Sequence, residues 1–216
     1  MIPLLHDFEG TTVLVFGGGA VGARKARRFA REARVIVVSP IFADVSFGRA
    51  ELVRAAPRPN EIAGWIDRTG PALVVAATDD EAVNEAAVAA ATEAGALVNR
   101  ADEAGTREPH SVVVPATVRD DPVVVSVSTG GTSPALSRTL REWFEEDIRG
   151  VGEMAELTSD LRLELRDRGV PPETRREAVR AVTQSSRVWK ALGAPDDKAG
   201  QVARDVIEPI VQQEEP

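Results

Sequence analysis

Cysteine is absent from the 216-residue chain. That single absence excludes disulfides, thiolate nucleophiles and cysteine-ligated zinc or iron–sulfur clusters. Histidine is scarce: only His6 and His110 occur, with no pair or triad at metal-ligand spacing, so no resident metal is expected. Long apolar stretches are missing too, since a run such as residues 72–77 falls far short of the ~20 residues a membrane span needs. His6, Asp7 and Glu9 interrupt any apolar start, so neither a signal peptide nor a membrane partner is expected, and the expected location is the cytoplasm. Lysine is limited to Lys25, Lys190 and Lys198, with arginine supplying the other cations. A GC-rich genome and adaptation to high salt both give such a bias, and composition does not separate them.

The net charge of −8 argues against nucleic-acid binding, which rests on a cationic face. With 43% apolar and 28% charged residues, the chain reads as folded, long enough for one ordinary domain and a smaller appendage.

Strand-like and helix-like segments alternate in the first half. Apolar runs at 12–16, 35–38, 73–77 and 96–98, with a weaker one near 51–55, are separated by helical patterns at 21–31, 60–66 and 81–94. Asp79-Asp80 supplies an N-cap for the alanine-rich third helix, and Gly95 ends it. This alternation predicts an α/β fold with a parallel sheet covered on both faces. After Asn99 the pattern changes. Runs at 112–114, 116–118 and 123–127 have no helices between them and predict antiparallel strands, with Asp120-Asp121-Pro122 as a turn. Ser133-Pro134 predicts a helix start, and the remainder reads as helices broken near 169–172 and 193–195.

Gly17-Gly18-Gly19-Ala20-Val21-Gly22 matches G-x-G-x-x-G directly after a strand and at the start of a helix. Gly17 permits the tight turn, Gly19 lets the backbone approach a pyrophosphate, and Gly22 lets helix and strand pack closely. Unpaired N–H groups at the helix start favour the phosphates. The acidic residue usual at the end of the second strand is replaced by Ser39, followed by Pro40, and no arginine follows directly to receive a 2′-phosphate. Ser39 reads either as a ribose ligand or as part of a strand-ending turn, and the cofactor expected is NAD.

The loop continues into Ala23-Arg24-Lys25; Ala76-Ala77-Thr78-Asp79-Asp80 leads to Val83-Asn84; Leu97-Val98-Asn99 precedes Asp102; Pro115-Ala116 and the stretch Val127-Ser128-Thr129-Gly130-Gly131-Thr132-Ser133-Pro134-Ala135-Leu136-Ser137-Arg138 follow. In this order the chain resembles the precorrin-2 dehydrogenase/sirohydrochlorin ferrochelatase family, which also supplies the N-terminal module of siroheme synthase. The resemblance covers residues 1–150 continuously. It implies a Rossmann domain (1–115), a small dimerisation region (116–150) and a helical C-terminal domain (151–216), assembled as a homodimer. The implied activity is NAD-dependent oxidation of the tetrapyrrole precorrin-2 to sirohydrochlorin, with ferrous iron, as a substrate, inserted by some members to give siroheme. A competing expectation is a regulatory domain that senses NAD(H) without chemistry.

The cofactor-binding set expected is Gly17, Gly19, Ala20, Val21, Gly22, Ser39, Pro40, Ile41, Ala77 and Thr78. Asp102, just past a strand at the carboxyl edge of the sheet, matches the family's aspartate for dehydrogenation and is the candidate catalytic residue. Asn99, Thr129, Gly130, Gly131, Thr132, Ser133 and Arg138 are the expected substrate contacts, the glycine-rich loop offering donors to a carboxylate. Arg100, Arg107, His110, Arg119, Arg138 and Arg141 are the cations available for a polycarboxylate substrate. Some members carry a phosphorylatable serine where Thr129 stands. The chain departs from the family by a lengthened segment at 102–115, by Val112 where an aromatic is common, and by 31–34, which lacks a usual glycine.

Overall fold

The structure, a computed structural model, describes residues 2–101, 111–195 and 197–212. The chain divides into two compact units. The first comprises Met1–Val114 with Gly130–Thr132, and the second Pro115–Thr129 with Ser133–Pro216.

In the first unit five parallel strands form one sheet: β1 (Thr12–Phe16), β2 (Arg34–Ser39), β3 (Glu51–Arg54), β4 (Leu73–Ala76) and β5 (Leu97–Arg100), in the order β3-β2-β1-β4-β5. Successive side chains point to opposite faces of a strand, and here both faces are apolar. Leu14, Phe16, Ile36, Val38, Val74, Ala76 and Val98 pack on one side with α2 (Ile62–Thr69) and α3 (Glu81–Glu93). Val13, Val15, Val35, Val37, Leu73 and Val75 pack on the other with α1 (Ala20–Phe29), through Ala23, Ala26 and Ala30. Burial on both faces explains why these strands read as continuous Val/Leu/Ile runs. Asp80 caps α3 by accepting from the Val83 amide at 3.3 Å, and Gly95 follows the helix with φ +73°. The order reverses between β1 and β4, so a crevice opens at their carboxyl ends.

One expected strand does not form. Residues 112–114 leave the β5 edge with only an isolated parallel bridge between Val98 and Ser111. The Val112 amide donates to the Val98 carbonyl at 2.7 Å, and Val112 packs on the α1 side of the sheet. Val112 serves burial rather than antiparallel pairing, and Val113 is exposed.

The second unit begins with the antiparallel pair β6 (Ala116–Asp120) and β7 (Val123–Val127), turning at Asp121-Pro122. Then come α4 (Pro134–Asp147), α5 (Val151–Asp167), α6 (Pro172–Gln184), α7 (Ser186–Ala191) and α8 (Lys198–Gln212). Met154, Leu161, Leu165, Ala178, Val182, Val188, Ala203, Ile207 and Val211 form its core. The break before α7 has a local cause: the Ser185 hydroxyl accepts from the Val188 amide at 3.4 Å and restarts the helix. Among the described residues no helix is long and apolar enough to cross a membrane.

Candidate functional site

The glycine loop lies between β1 and α1, at the reversal of strand order. Gly17 has φ +118°, and a Cβ there would meet the Ala77 carbonyl oxygen at 2.2 Å, so no other residue fits. Its amide donates to the Val38 carbonyl at 3.0 Å, tying the loop to β2. At Gly22 a Cβ would stand 2.0 Å from the Gly17 carbonyl oxygen. Gly19 differs. It caps α1 with φ −76°, without a side-chain acceptor on the first-turn amides, and a Cβ there has nothing within 4 Å. The loop is closed by Ala77 at Gly17, by Ile41 and Ser39 at Gly18 and by its own Gly17 carbonyl at Gly22, and is open at Gly19, beside the amides of Ala20, Val21 and Gly22. An anionic diphosphate fits that opening: it needs N–H donors, the positive end of a helix and room for close backbone approach. The residues present therefore suit a dinucleotide.

Gly18 was not among the expected site residues, yet a Cβ there would meet the Ile41 carbonyl oxygen at 2.2 Å and Ser39 Oγ at 2.7 Å. Its carbonyl accepts from the Ala43 amide at 2.8 Å. The signal was the run of three consecutive glycines where the pattern requires only the outer two. The Ser39 hydroxyl donates to the Ile41 carbonyl at 2.7 Å, which is the turn-forming use; its lone pairs remain as acceptors toward a ribose hydroxyl. Arg54 pairs in register with Ser39 on the neighbouring strand. Its guanidinium donates to the Pro40 carbonyl at 2.9 Å and stands 5.6 Å from the centre of the Phe42 ring. No arginine follows Ser39 directly in sequence, but the sheet supplies one from the next strand.

On the far side of β1, the loop after β4 holds Ala77 and Thr78. Asn84, buried on α3, clamps it: Thr78 donates to Asn84 Oδ1 through its amide (3.1 Å) and hydroxyl (2.8 Å), and Asn84 Nδ2 returns a bond to the Thr78 carbonyl (2.9 Å). Because Ala77 borders Gly17, Asn84 positions one wall of the glycine loop. Asn99, on β5 beside Val75, is 5% exposed. Its Nδ2 donates to the Val112 carbonyl at 2.7 Å, while its Oδ1 is buried without a hydrogen-bond partner among the described residues. On α1 the half-buried Lys25 has its ammonium pKa lowered from 10.5 to about 8 by desolvation first, then by Arg24 and Arg28.

Asp102, Arg107 and His110 lie outside the described residues. The other expected cations have local acidic partners: Arg100 with Glu81 (4.0 Å), Arg119 with Asp121 (3.7 Å), Arg138 with Glu142 (2.9 Å) and Arg141 with Glu145 (2.7 Å). Arg138 is exposed, and its bond to Glu142 strengthens its protonation.

Between β7 and α4, Gly130 and Gly131 take φ +67° and +88°. Thr129 Oγ1 bonds the Ser133 carbonyl and Ser137 Oγ, both at 3.0 Å, and accepts from the Ser133 amide at 3.3 Å. Ser133 Oγ accepts from the Leu136 amide at 3.3 Å. The Thr129 hydroxyl thus organises the first turn of α4. Among the described residues no cluster of His, Asp or Glu could hold a metal ion.

A family model described as "Putative NAD(P)-binding" matches residues 4–116. A precorrin-2 dehydrogenase of Methanosarcina barkeri is 31% identical over 215 residues, covering 95% of this chain and 93% of that protein. A siroheme synthase of Stutzerimonas stutzeri is 35% identical over 195 residues, covering 88% of this chain and 41% of that protein. A siroheme synthase of Pseudomonas aeruginosa is 39% identical over 168 residues, 74% of this chain and 34% of that protein. The chain thus spans under half the length of these synthases. A solved structure described as "SirC, precorrin-2 dehydrogenase" superposes with a TM-score of 0.66 at 19% identity, covering 99% of this chain and 98% of that one, which shows a shared fold.

Proposed function

The chain belongs to the precorrin-2 dehydrogenase family, and on that premise we infer that it oxidises precorrin-2 to sirohydrochlorin with NAD as hydride acceptor. The observation that carries this reading is the alignment with a precorrin-2 dehydrogenase along nearly the whole of both chains, joined to a glycine loop shaped for a diphosphate. No observation favours a sensor that binds NAD(H) without chemistry.

NAD, when bound, would supply the hydride acceptor for a substrate carbon, with the accompanying proton released to a base or to solvent. The chain's residues place and support that exchange. Gly17, Gly19 and the first-turn amides of Ala20, Val21 and Gly22 hold the diphosphate. Ser39, Pro40 and Ile41 border the adenosine side at the end of β2, and Ala77 and Thr78 border the nicotinamide side at the end of β4. Asp102 follows β5 in the chain and accepts the proton. Thr129, Gly130, Gly131, Thr132, Ser133 and Arg138 serve the carboxylates of the tetrapyrrole, with Thr129 and Ser133 keeping the loop in shape through their own bonds.

The proposed working form is a homodimer. The support is α4, a 14-residue helix with no buried residue, on which Trp143 is 61% exposed; a second copy would cover this face. Ferrous iron insertion into sirohydrochlorin is proposed as a separate step in which iron is substrate and the two pyrrolic protons it displaces pass in turn through Asp102 to solvent.

The test compares the intact chain with Asp102→Asn for precorrin-2 turnover and NADH binding. Unchanged NADH affinity with most turnover lost is expected. An equal rate would remove Asp102 from the chemistry, and NADH binding without turnover in the parent would favour the sensor. Sirohydrochlorin with ferrous iron, against a protein-free control, tests insertion.

A further inference from the structure

We propose that Asn99 is a cofactor-positioning residue whose side-chain oxygen accepts a hydrogen bond from the carboxamide N–H of the nicotinamide. This rests on the NAD-dependent reading above and moves Asn99 from the substrate contacts expected from the sequence to the cofactor side of the cleft.

The starting point is an unpaired atom. Asn99 is 5% exposed, its Nδ2 donates to the Val112 carbonyl at 2.7 Å, and its Oδ1 is buried with no partner among the described residues. Exchanging the amide's two ends does not remove the anomaly, because oxygen would then face the Val112 carbonyl oxygen and a buried N–H₂ would be left over. The Val112 carbonyl therefore fixes which end is which, and the oxygen is the end in want of a donor. A buried acceptor left unpaired is costly, and native proteins rarely keep one without a use.

Its position says which donor. The diphosphate seat is at the end of β1, and the strand order puts β2 with Ser39 on one side and β4 with β5 on the other. A dinucleotide draped over that reversal places adenosine toward β2 and nicotinamide toward β4 and β5. Asn99 stands on β5 in register with Val75 of β4, on the nicotinamide half. The acceptor is uncharged and sits within a strand. A polycarboxylate macrocycle presents acceptors at its rim and holds its N–H donors at its centre. The nicotinamide carboxamide is small, planar and carries N–H donors. Donation to Asn99 would fix the carboxamide's rotation and thereby which face of the ring meets the substrate.

The test varies the ligand before the protein, so folding is not at issue. The intact chain is titrated with NADH, with the reduced thionicotinamide analogue, which keeps the N–H₂, and with the reduced 3-acetylpyridine analogue, which replaces it by methyl. The acetyl analogue is expected to bind about tenfold more weakly than NADH, from one unpaired buried acceptor. The thio analogue is expected within about threefold of NADH, because its donors remain. In Asn99→Ala and Asn99→Leu, checked for folding by circular dichroism, the acetyl penalty should shrink to about twofold or less. Equal binding of NADH and the acetyl analogue by the intact chain overturns the proposal, as it would if a water alone satisfied Oδ1. So does a penalty that persists in a folded Asn99 variant. Failure of every dinucleotide to bind would instead refute the NAD-dependent reading.

Discussion

Replacing Gly19 and Gly22 singly by alanine should separate cofactor binding from folding, though both sit in one loop. At Gly19 the backbone has φ −76°, open to any residue, and an added Cβ meets nothing within 4 Å. Alanine is the weaker N-cap by several tenths of a kcal/mol, but it reduces unfolded-chain entropy by about 0.4–1 kcal/mol. The two effects offset, and Gly19→Ala should melt within about 3 °C of the parent. Its methyl, however, fills the space the diphosphate needs. Losing one charge-assisted bond to a first-turn amide costs about 1.5–3 kcal/mol, or roughly 10- to 100-fold in NADH affinity. At Gly22 the added Cβ would stand 2.0 Å from the Gly17 carbonyl oxygen, whereas ordinary contact begins near about 3.5 Å. Helix α1 must retreat, at about 1–3 kcal/mol, so Gly22→Ala should lose several degrees of melting temperature as well as affinity. Circular dichroism melting and calorimetric NADH titration read both quantities. Full NADH affinity in Gly19→Ala would refute the placement of the diphosphate, and an unperturbed Gly22→Ala would refute the packing.

Lys25→Met should stabilise the chain by about 1–2 kcal/mol at pH 7 after allowance for screening, because the ammonium, lowered to about 8, is penalised in the fold. That penalty is complete below pH 8, fades between 8 and 10.5 as the folded form releases a proton the unfolded chain keeps, and is gone above. Parent stability should rise across that window while Lys25→Met stays flat, and with no tyrosine or cysteine few other side chains titrate there; a pH-independent difference in urea denaturation would contradict this. Asn84→Ala, which removes three hydrogen bonds to Thr78 while the Thr78 hydroxyl keeps its bonds with Asp80, should cost about 2–3 kcal/mol and weaken NADH, with Asn84→Asp recovering part of both. Gly152→Ala puts a Cβ 2.3 Å from the Asp121 carbonyl oxygen and should destabilise the second unit while leaving NADH affinity unchanged, as thermal melts and titration will report.

The sheet was legible because strands buried on both faces leave continuous apolar runs, and the caps at Asp80 and Ser133 were legible because their chemistry is local. Residues 112–114 misled because a valine run reads as a strand, whereas Val112 packs on the sheet and Val113 is exposed. Ser185 as a helix restart gave no break of the glycine or proline kind. In the site, Gly17, Gly19 and Gly22 carry a spaced motif, but Gly18 and Arg54 matter through neighbours distant in sequence, Ile41 behind Gly18 and Ser39 beside Arg54, while Asn84 matters through Thr78 six residues before it. The unpaired oxygen of Asn99 has no sequence signature at all, since it follows from which carbonyl its own nitrogen meets.

The central claim is a stoichiometric two-electron oxidation, and anaerobic incubation of the intact chain with precorrin-2 and NAD tests it most directly. NADH at 340 nm and sirohydrochlorin by its own absorbance should rise together in equal amounts, with neither appearing when NAD or the protein is left out. Binding of NAD with no sirohydrochlorin formed, or sirohydrochlorin formed without matching NADH, would contradict the account.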